Sequence, residues 1–534
     1  MKSLHVFFTT DVHGNYFAYD FRYDRLGDGS LERAFGFVEE RREQYGRDNV
    51  LLLDGGDMIQ GGPEAYFFNH VDKSHSHVIG EMCRFAGYDA GAVGNHDIES
   101  GTKAMKRFQK VSGYTMVAAN ITDRHGNMPF APYVVFNRHG LKVAVVGFTT
   151  PSTKRWLAED VCRDYMFEDI PPCAERWARE IKERENPHVL IALMHGGWKG
   201  GIHDTSWREN TAKEVAMIEN AYDAVLFGHD HFSRLTEIKR ADGVSCVCLN
   251  AGCYAYEVGE LRISVGDNGD VGGIVGLLHD VKQFSNGHSD DFRTRFSDAF
   301  RKVEKYTSEK LGLLTTRLDI SHSFLRPSAY MALIHSLQLR VSGADVSLCS
   351  PYSTDTVLGP GMLTVADLFT IYWFEDRLYT IRMTGLEIKR LLERSYWLWT
   401  NTIDKPGDKL LKTIVDKTTG EERFENLFFN FDTAAGIEYE VDPTKPLGHK
   451  VEISRLSDGR TFSLDSEYMV ATIGHRANGG GKMLTLGAGI PEEELSRRVV
   501  SYTPYDVRHY LRQYIEQQGI IAVKPLDNWR FKGI

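Results

Sequence analysis

The sequence predicts an α/β protein of layered sheets and helices, built as two domains. Three observations carry that expectation. Over roughly the first 260 residues, short apolar runs alternate with amphipathic stretches, the pattern of sheets covered by helices. The 534-residue chain is too long for one core, because domains usually run to about 100–200 residues. A Gly-rich, then polar, then charged segment from about 266 to 311 separates this half from a second mixed α/β half.

Taken in order, the strand candidates of the first half are Leu4–Thr10, Val50–Asp54, Ala90–Val93, Met116–Ala119, Lys142–Phe148, Val189–His195 and Ala224–Phe227. Amphipathic stretches lie between them at Leu31–Tyr45, His77–Phe85, Cys173–Arg184 and Thr211–Asn220. Gly266–Val281 reads as strand, Ser285–Asp291 as turn, and Asp291–Leu311 as one charged amphipathic helix. The expected division is therefore 1–284, a linker helix within 285–313, and a second domain over 314–534. That second domain carries helical runs at Ser328–Leu339 and Leu386–Tyr396 and strand runs at Leu378–Met383 and Tyr468–Ile473.

Composition removes several function classes. Charged residues make up 25% and apolar ones 42%, which excludes a disordered or fibrous chain. The net charge of −10 and the lack of a long basic run argue against binding nucleic-acid polymers. An acidic protein still binds small phosphates where metals supply positive charge. No apolar stretch reaches the ~18 residues that span a bilayer, so no membrane is expected. Met1–His5 runs straight into Val6–Thr10 without a signal-peptide core, which reads as cytoplasmic. Seven irregularly spaced cysteines do not make a disulfide framework, and Cys246 and Cys248 read as packing residues of a strand.

Metal-type residues follow the apolar runs in series. Asp11-Val12-His13 follows the first run, and Gly55-Gly56-Asp57 the second. Gly94-Asn95-His96-Asp97 follows Ala90–Val93, His195 ends Val189–His195, and Gly228-His229-Asp230-His231 follows Ala224–Phe227. Ligands in α/β sheets sit at the carboxyl ends of strands. In extended backbone, residues i and i+2 point the same way, so Asp-x-His and His-x-His can each aim two side chains at one point. Carboxylate, imidazole and amide oxygen together suit divalent Mn, Zn, Fe or Co, and a carboxylate such as Asp57 can bridge two ions. His75-Ser76-His77 also spells His-x-His, but it follows no apolar run and reads as solvated. His203, His322 and His335 read as ordinary surface or hydrogen-bonded histidines.

This ordered set resembles the calcineurin-type metallophosphoesterases over about the first 260 residues. The second half resembles the C-terminal domain of the 5′-nucleotidase family, through Leu378–Gly385 and the ATIGHRANGGG stretch at Ala471–Gly481. Thr10–Tyr23 and His475-Arg476-Ala477 look most like its 2′,3′-cyclic-nucleotide 2′-phosphodiesterase/3′-nucleotidase branch. The resemblance implies a four-layer β-sandwich flanked by helices, followed by an α/β substrate domain. It implies two divalent ions: Asp11, His13 and His231 on one, Asn95, His195 and His229 on the other, and Asp57 bridging. It implies that His96 acts on the leaving group beside Asn95, with Glu99 as its acidic partner and Asp97 as the alternative. A small nucleotide is the implied substrate, its base stacked on Phe374 and His475, with Asp376 and Arg476 in contact. Ser350–Asp355 lacks the Arg of the corresponding 5′-nucleotidase motif, which counts against a typical 5′-nucleotidase. The rival readings are a 5′-nucleotidase or nucleotide-sugar hydrolase, a non-catalytic nucleotide sensor, and plain core packing for Trp373 and Phe374.

Overall fold

The structure is a computed structural model that describes residues 2–533 apart from 74–75, 139, 204, 267–269, 416–419 and 421. It divides into two compact units, Met1–Thr307 and Ser308–Ile534.

The first unit is a sandwich of two six-stranded sheets. In one sheet, Lys2–Thr9, Val50–Asp54, Ala90–Ala92 and Thr115–Val117 run parallel side by side. Glu257–Val265 joins the first of these antiparallel, and Val271–Asp280 extends that edge. In the other sheet, Leu141–Thr149, Val189–His195, Ala224–Phe227 and Ser245–Asn250 run parallel, with antiparallel edges at Tyr133–Arg138 and Arg234–Lys239.

Successive strand residues face opposite layers, as period two requires. Val6, Phe8, Leu51, Leu53, Val143, Val145, Ile191, Leu193 and Leu226 meet between the sheets. Phe7, Val50 and Leu52 turn outward under Leu31–Tyr45 and Val78–Ala86. Ala144, Val146, Leu190 and Ala192 turn outward under Ile170–Glu185. Strands buried on both faces must be apolar throughout, which is why they stand out in the sequence as unbroken runs. Tyr133–Arg138 and Arg234–Lys239 are half-exposed edges and carry no such signal.

Two expectations change. The segment 285–313 is not one free-standing helix. It holds Gly287–Arg295 and Ser297–Thr307, broken at Phe296, and then the strand Lys310–Leu314. Phe292, Phe296, Ala299 and Val303 lie on one helical face and are buried in the first unit's aromatic core. His77, read as solvated, is 1% exposed, and its Nε2 lies 2.9 Å from Asn69 Oδ1. Burial pushes its imidazole down to about 3. His75 lies outside the described residues.

The second unit centres on a five-stranded mixed sheet in the order Thr433–Ala435, Val346–Cys349, Glu467–Ile473, Arg377–Thr384, Val499–Asp506. Ala329–Ser342, Gly385–Trp399 and Val507–Gln518 are its main helices. Gly385–Trp399 starts in a full capping box, with Thr384 and Glu387 each accepting the other's backbone N–H. Its buried Tyr396 and Trp399 pack among Phe431, Tyr439, Trp529 and Phe531. Among the described residues, no helix is long and apolar enough to cross a membrane. All seven cysteines are free, and Cys246 and Cys248 are buried in Ser245–Asn250 as packing residues.

Candidate metal centre

The strands that carry the motifs end side by side, and the loops beyond them brace one another. Asp11 N–H donates to the Gly56 carbonyl and His13 N–H to the Asp57 carbonyl, each at 3.0 Å. Asp97 accepts from the backbone N–H groups of Asp57, Met58, Ile59 and Gly94 at 2.8–3.1 Å. It therefore ties two loops together. Gly94 is required by crowding, since a Cβ there would sit 2.1 Å from Asp57 Oδ1.

The side chains are not aimed by strand alternation, the geometry expected of Asp-x-His and His-x-His. Asp11, His13, Asp57, His229 and His231 all lie past the strand ends with positive φ, between 49° and 77°. Five of the seven candidate ligands thus occupy left-handed backbone, which costs a non-glycine residue about 1–3 kcal/mol each and clusters at functional sites. These turns, not extended geometry, swing the donors inward.

They converge in two overlapping groups of donors, each within 4.8 Å: Asp11, His13 and His231, and Asp11, Asp57 and His195. His13 Nε2 lies 3.0 Å from His231 Nε2, 3.7 Å from Asp11 Oδ1 and 3.6 Å from Asp57 Oδ2. His195 Nε2 lies 3.1 Å from Asp57 Oδ2 and 2.9 Å from Asn95 Oδ1. Asp57 Oδ2 therefore stands between the two groups, the position of a bridge. Outer partners hold the rings: Gln60 Oε1 is 3.1 Å from His13 Nδ1, and the Gly55 carbonyl accepts from His195 Nδ1 at 2.8 Å. Acceptors behind ligand histidines are the usual second layer of a metal site. His229 lies outside both groups. Its ring stands 5.2 Å from that of His195, and its Nε2 meets Glu209 at 3.0 Å.

The electrostatics fit cations. Burial alone would raise Asp11, yet the nearby imidazoles of His13 and His231 and the charge of His195 hold its carboxyl well below the usual range. Asp57 is likewise lowered against its burial, chiefly by the charges of His195 and His96. Burial would lower His195, but Asp57, Asp11 and the Gly55 carbonyl together outweigh it and push the imidazole up to about 9. Asp11 Oδ1 is buried without a hydrogen-bond partner, 3.3 Å from His231 Nε2. Two imidazole nitrogens 3.0 Å apart beside an unsatisfied carboxylate oxygen make a donor set that a divalent ion satisfies.

His96 stands at the rim, its side chain 34% exposed and its ring 5.4 Å from that of His13. Its Nδ1 is hydrogen-bonded to Glu99, so Glu99 is its acidic partner. Its backbone N–H donates to Asp57 Oδ1 at 2.8 Å.

In the second unit, Phe374 is 38% exposed, with Tyr352 edge-on at 6.0 Å, so it is not a core residue. Trp373 and Asp376 are half-buried. His475 is half-buried and packs on the backbone of Gly480, where a Cβ would lie 2.2 Å from its Nε2. Arg476, expected at the substrate, is instead a buried structural residue. Its Nε pairs with Asp432 at 2.9 Å. Its Nη atoms donate to the Gly480 and Phe429 carbonyls, Asn430 Oδ1 and Asp432 Oδ1 at 2.6–3.2 Å. All its donors are engaged and none remains for a nucleotide.

Comparison with known proteins agrees with both halves. Residues 4–233 match the family described as calcineurin-like phosphoesterase, and residues 305–487 match the 5′-nucleotidase C-terminal domain. The trifunctional nucleotide phosphoesterase protein YfkN of Bacillus subtilis is 24% identical over 98% of this chain, although the chain spans only 38% of its length. The 2′,3′-cyclic-nucleotide 2′-phosphodiesterase/3′-nucleotidase of Haemophilus influenzae is 22% identical over 99% of this chain and 87% of its own. The 5′-nucleotidase precursor of Thermus thermophilus shares the fold, with 18% identity and a TM-score of 0.66 over 100% of both chains.

Proposed function

We propose, because this chain joins a calcineurin-like phosphoesterase domain to a 5′-nucleotidase C-terminal domain, that it hydrolyses nucleotide phosphoesters with two divalent ions. The preferred substrates are 2′,3′-cyclic nucleotides and 3′-nucleotides. The observation that carries the reading is the convergence of Asp11, His13, Asp57, Asn95, His195 and His231 at one strand-end cluster, with the His96–Glu99 pair at its rim. The substrate preference is supported by whole-chain relatives bearing that activity, from Haemophilus influenzae and Yersinia enterocolitica.

Asp11, His13 and His231 would hold one ion, Asn95, His195 and His229 would hold the other, and Asp57 would contribute to both. When bound, ions of the manganese, zinc, iron or cobalt class neutralise the phosphoryl oxygens and acidify a water for attack. The bond from phosphorus to the leaving oxygen breaks as the bond to the water oxygen forms. His96 donates a proton to the leaving oxygen, and Glu99 fixes its orientation through Nδ1.

Four substrates with manganese test the reading: a 2′,3′-cyclic nucleotide, a 3′-nucleotide, a 5′-nucleotide and a nucleotide sugar. Turnover of the first two well above the others is expected. Preference for the 5′-nucleotide or the nucleotide sugar overturns it.

Phe374 and His475 stack the base in this reading, with Asp376 as a polar contact. Stacking is worth about 1–3 kcal/mol per base. Phe374→Ala should raise KM for nucleotides about tenfold or more, with little change for a small aryl phosphate. Equal losses on both substrates would return Phe374 to a packing role.

A further inference from the structure

Glu209 has no place in the metal motifs, yet its carboxylate lies against one of the expected ligands. It sits in Arg208–Asn210, the second strand of a small hairpin whose first strand is Gly200–His203. Its Oε1 is 3.0 Å from His229 Nε2, and the two side chains are 12% and 11% exposed. Oε2 accepts from the Ile202 backbone N–H at 2.5 Å, and the Glu209 carbonyl accepts from Thr150 Oγ1 at 3.0 Å. The neighbouring Asn210 accepts from Gly197 N–H at 2.8 Å, tying the hairpin to the loop after His195. Trp156 stacks on the His229 ring at 5.2 Å and 28°.

The His229 ring is thus held on its face by Trp156 and at one nitrogen by a carboxylate that is itself anchored. An imidazole has two nitrogens, and a carboxylate at Nε2 fixes the proton there and leaves Nδ1 as the donor for a metal. We infer that Glu209 is a positioning residue, which sets the tautomer and orientation of His229 as a ligand of the second ion. The inference rests on the two-ion reading above.

The test is calorimetric titration of chelator-stripped protein with Mn²⁺. Wild type should take up two ions per chain; failure to do so sinks the two-ion reading itself and not only the role of Glu209. Glu209→Ala should weaken one of the two sites by about 10–100-fold, the range for outer partners of ligand histidines, and leave the other unchanged. Glu209→Gln keeps an acceptor oxygen without the charge, so it should recover part of that loss, and it carries the test if the alanine variant does not fold. In a His229→Ala background, Glu209→Ala should weaken Mn²⁺ binding no further. Wild-type affinity at both sites in Glu209→Ala and Glu209→Gln, or an undiminished further loss in the His229→Ala background, overturns the proposal.

Discussion

Asp57→Asn is expected to lose metal and to abolish turnover. The substitution is nearly isosteric, and the amide oxygen it introduces can still accept the His96 backbone N–H that Asp57 Oδ1 accepts at 2.8 Å. What disappears is the charge at Oδ2, 3.1 Å from His195 Nε2 and 3.6 Å from His13 Nε2. A neutral amide there cannot balance two dications, so both sites weaken together. Metal centres contribute several kcal/mol to the transition state, and each 1.4 kcal/mol is a tenfold change, so kcat should fall by about 10³-fold or more. Elemental analysis of gel-filtered protein and turnover of an aryl phosphate with added manganese check both halves of the expectation. Full activity in the variant, or in wild type under excess chelator, would falsify the assignment.

The parts of this molecule that the sequence reveals are those whose cause is local. Val50–Asp54, Val189–His195 and Ala224–Phe227 are legible because strands packed on both faces must be apolar at every position. The donor set is legible because each donor follows such a run. The reason those donors converge is not legible, because the positive-φ turns at Asp11, His13, Asp57 and His229 are braced by hydrogen bonds between distant segments. Glu209 is invisible for a related reason: a glutamate in an exposed-looking hairpin gives no hint that it reaches a histidine 20 residues on.

Arg476 and His77 mislead in opposite ways. Arg476 sits beside a glycine-rich stretch and looks like a substrate contact, but its carboxylate partner, Asp432, is 44 residues earlier in the chain. Burying an arginine requires that every donor be matched, and only the folded second unit supplies those acceptors. His77 lies among polar residues and looks wet, but Asn69 and the helix that starts at Val78 enclose it. The linker was readable in principle. Phe292, Phe296, Ala299 and Val303 recur at intervals of three to four residues, the mark of a helix face that needs a core to cover it.

His96→Ala should keep both ions and lose rate, which separates chemistry from metal binding. His96 is absent from both convergent donor groups, its side chain is a third exposed, and its Nδ1 is taken by Glu99. In the proposed mechanism, proton transfer to the leaving oxygen would run through Nε2. A positioned acid of this kind is worth about 10²–10⁴ in kcat, so the variant should lose that factor on a 3′-nucleotide, whose leaving group is a sugar alkoxide. An aryl phosphate needs the proton less, because a nitrophenolate leaves well unprotonated, and its loss should be smaller. Glu99→Gln should cost less than His96→Ala, and combining them should add little, because Glu99 acts only through the imidazole. Loss of an ion from His96→Ala would reassign His96 as a ligand. An equal loss of rate on the alkoxide and the phenolate substrates, with both ions retained, would take proton donation away from His96 and leave it only charge stabilisation of the transition state.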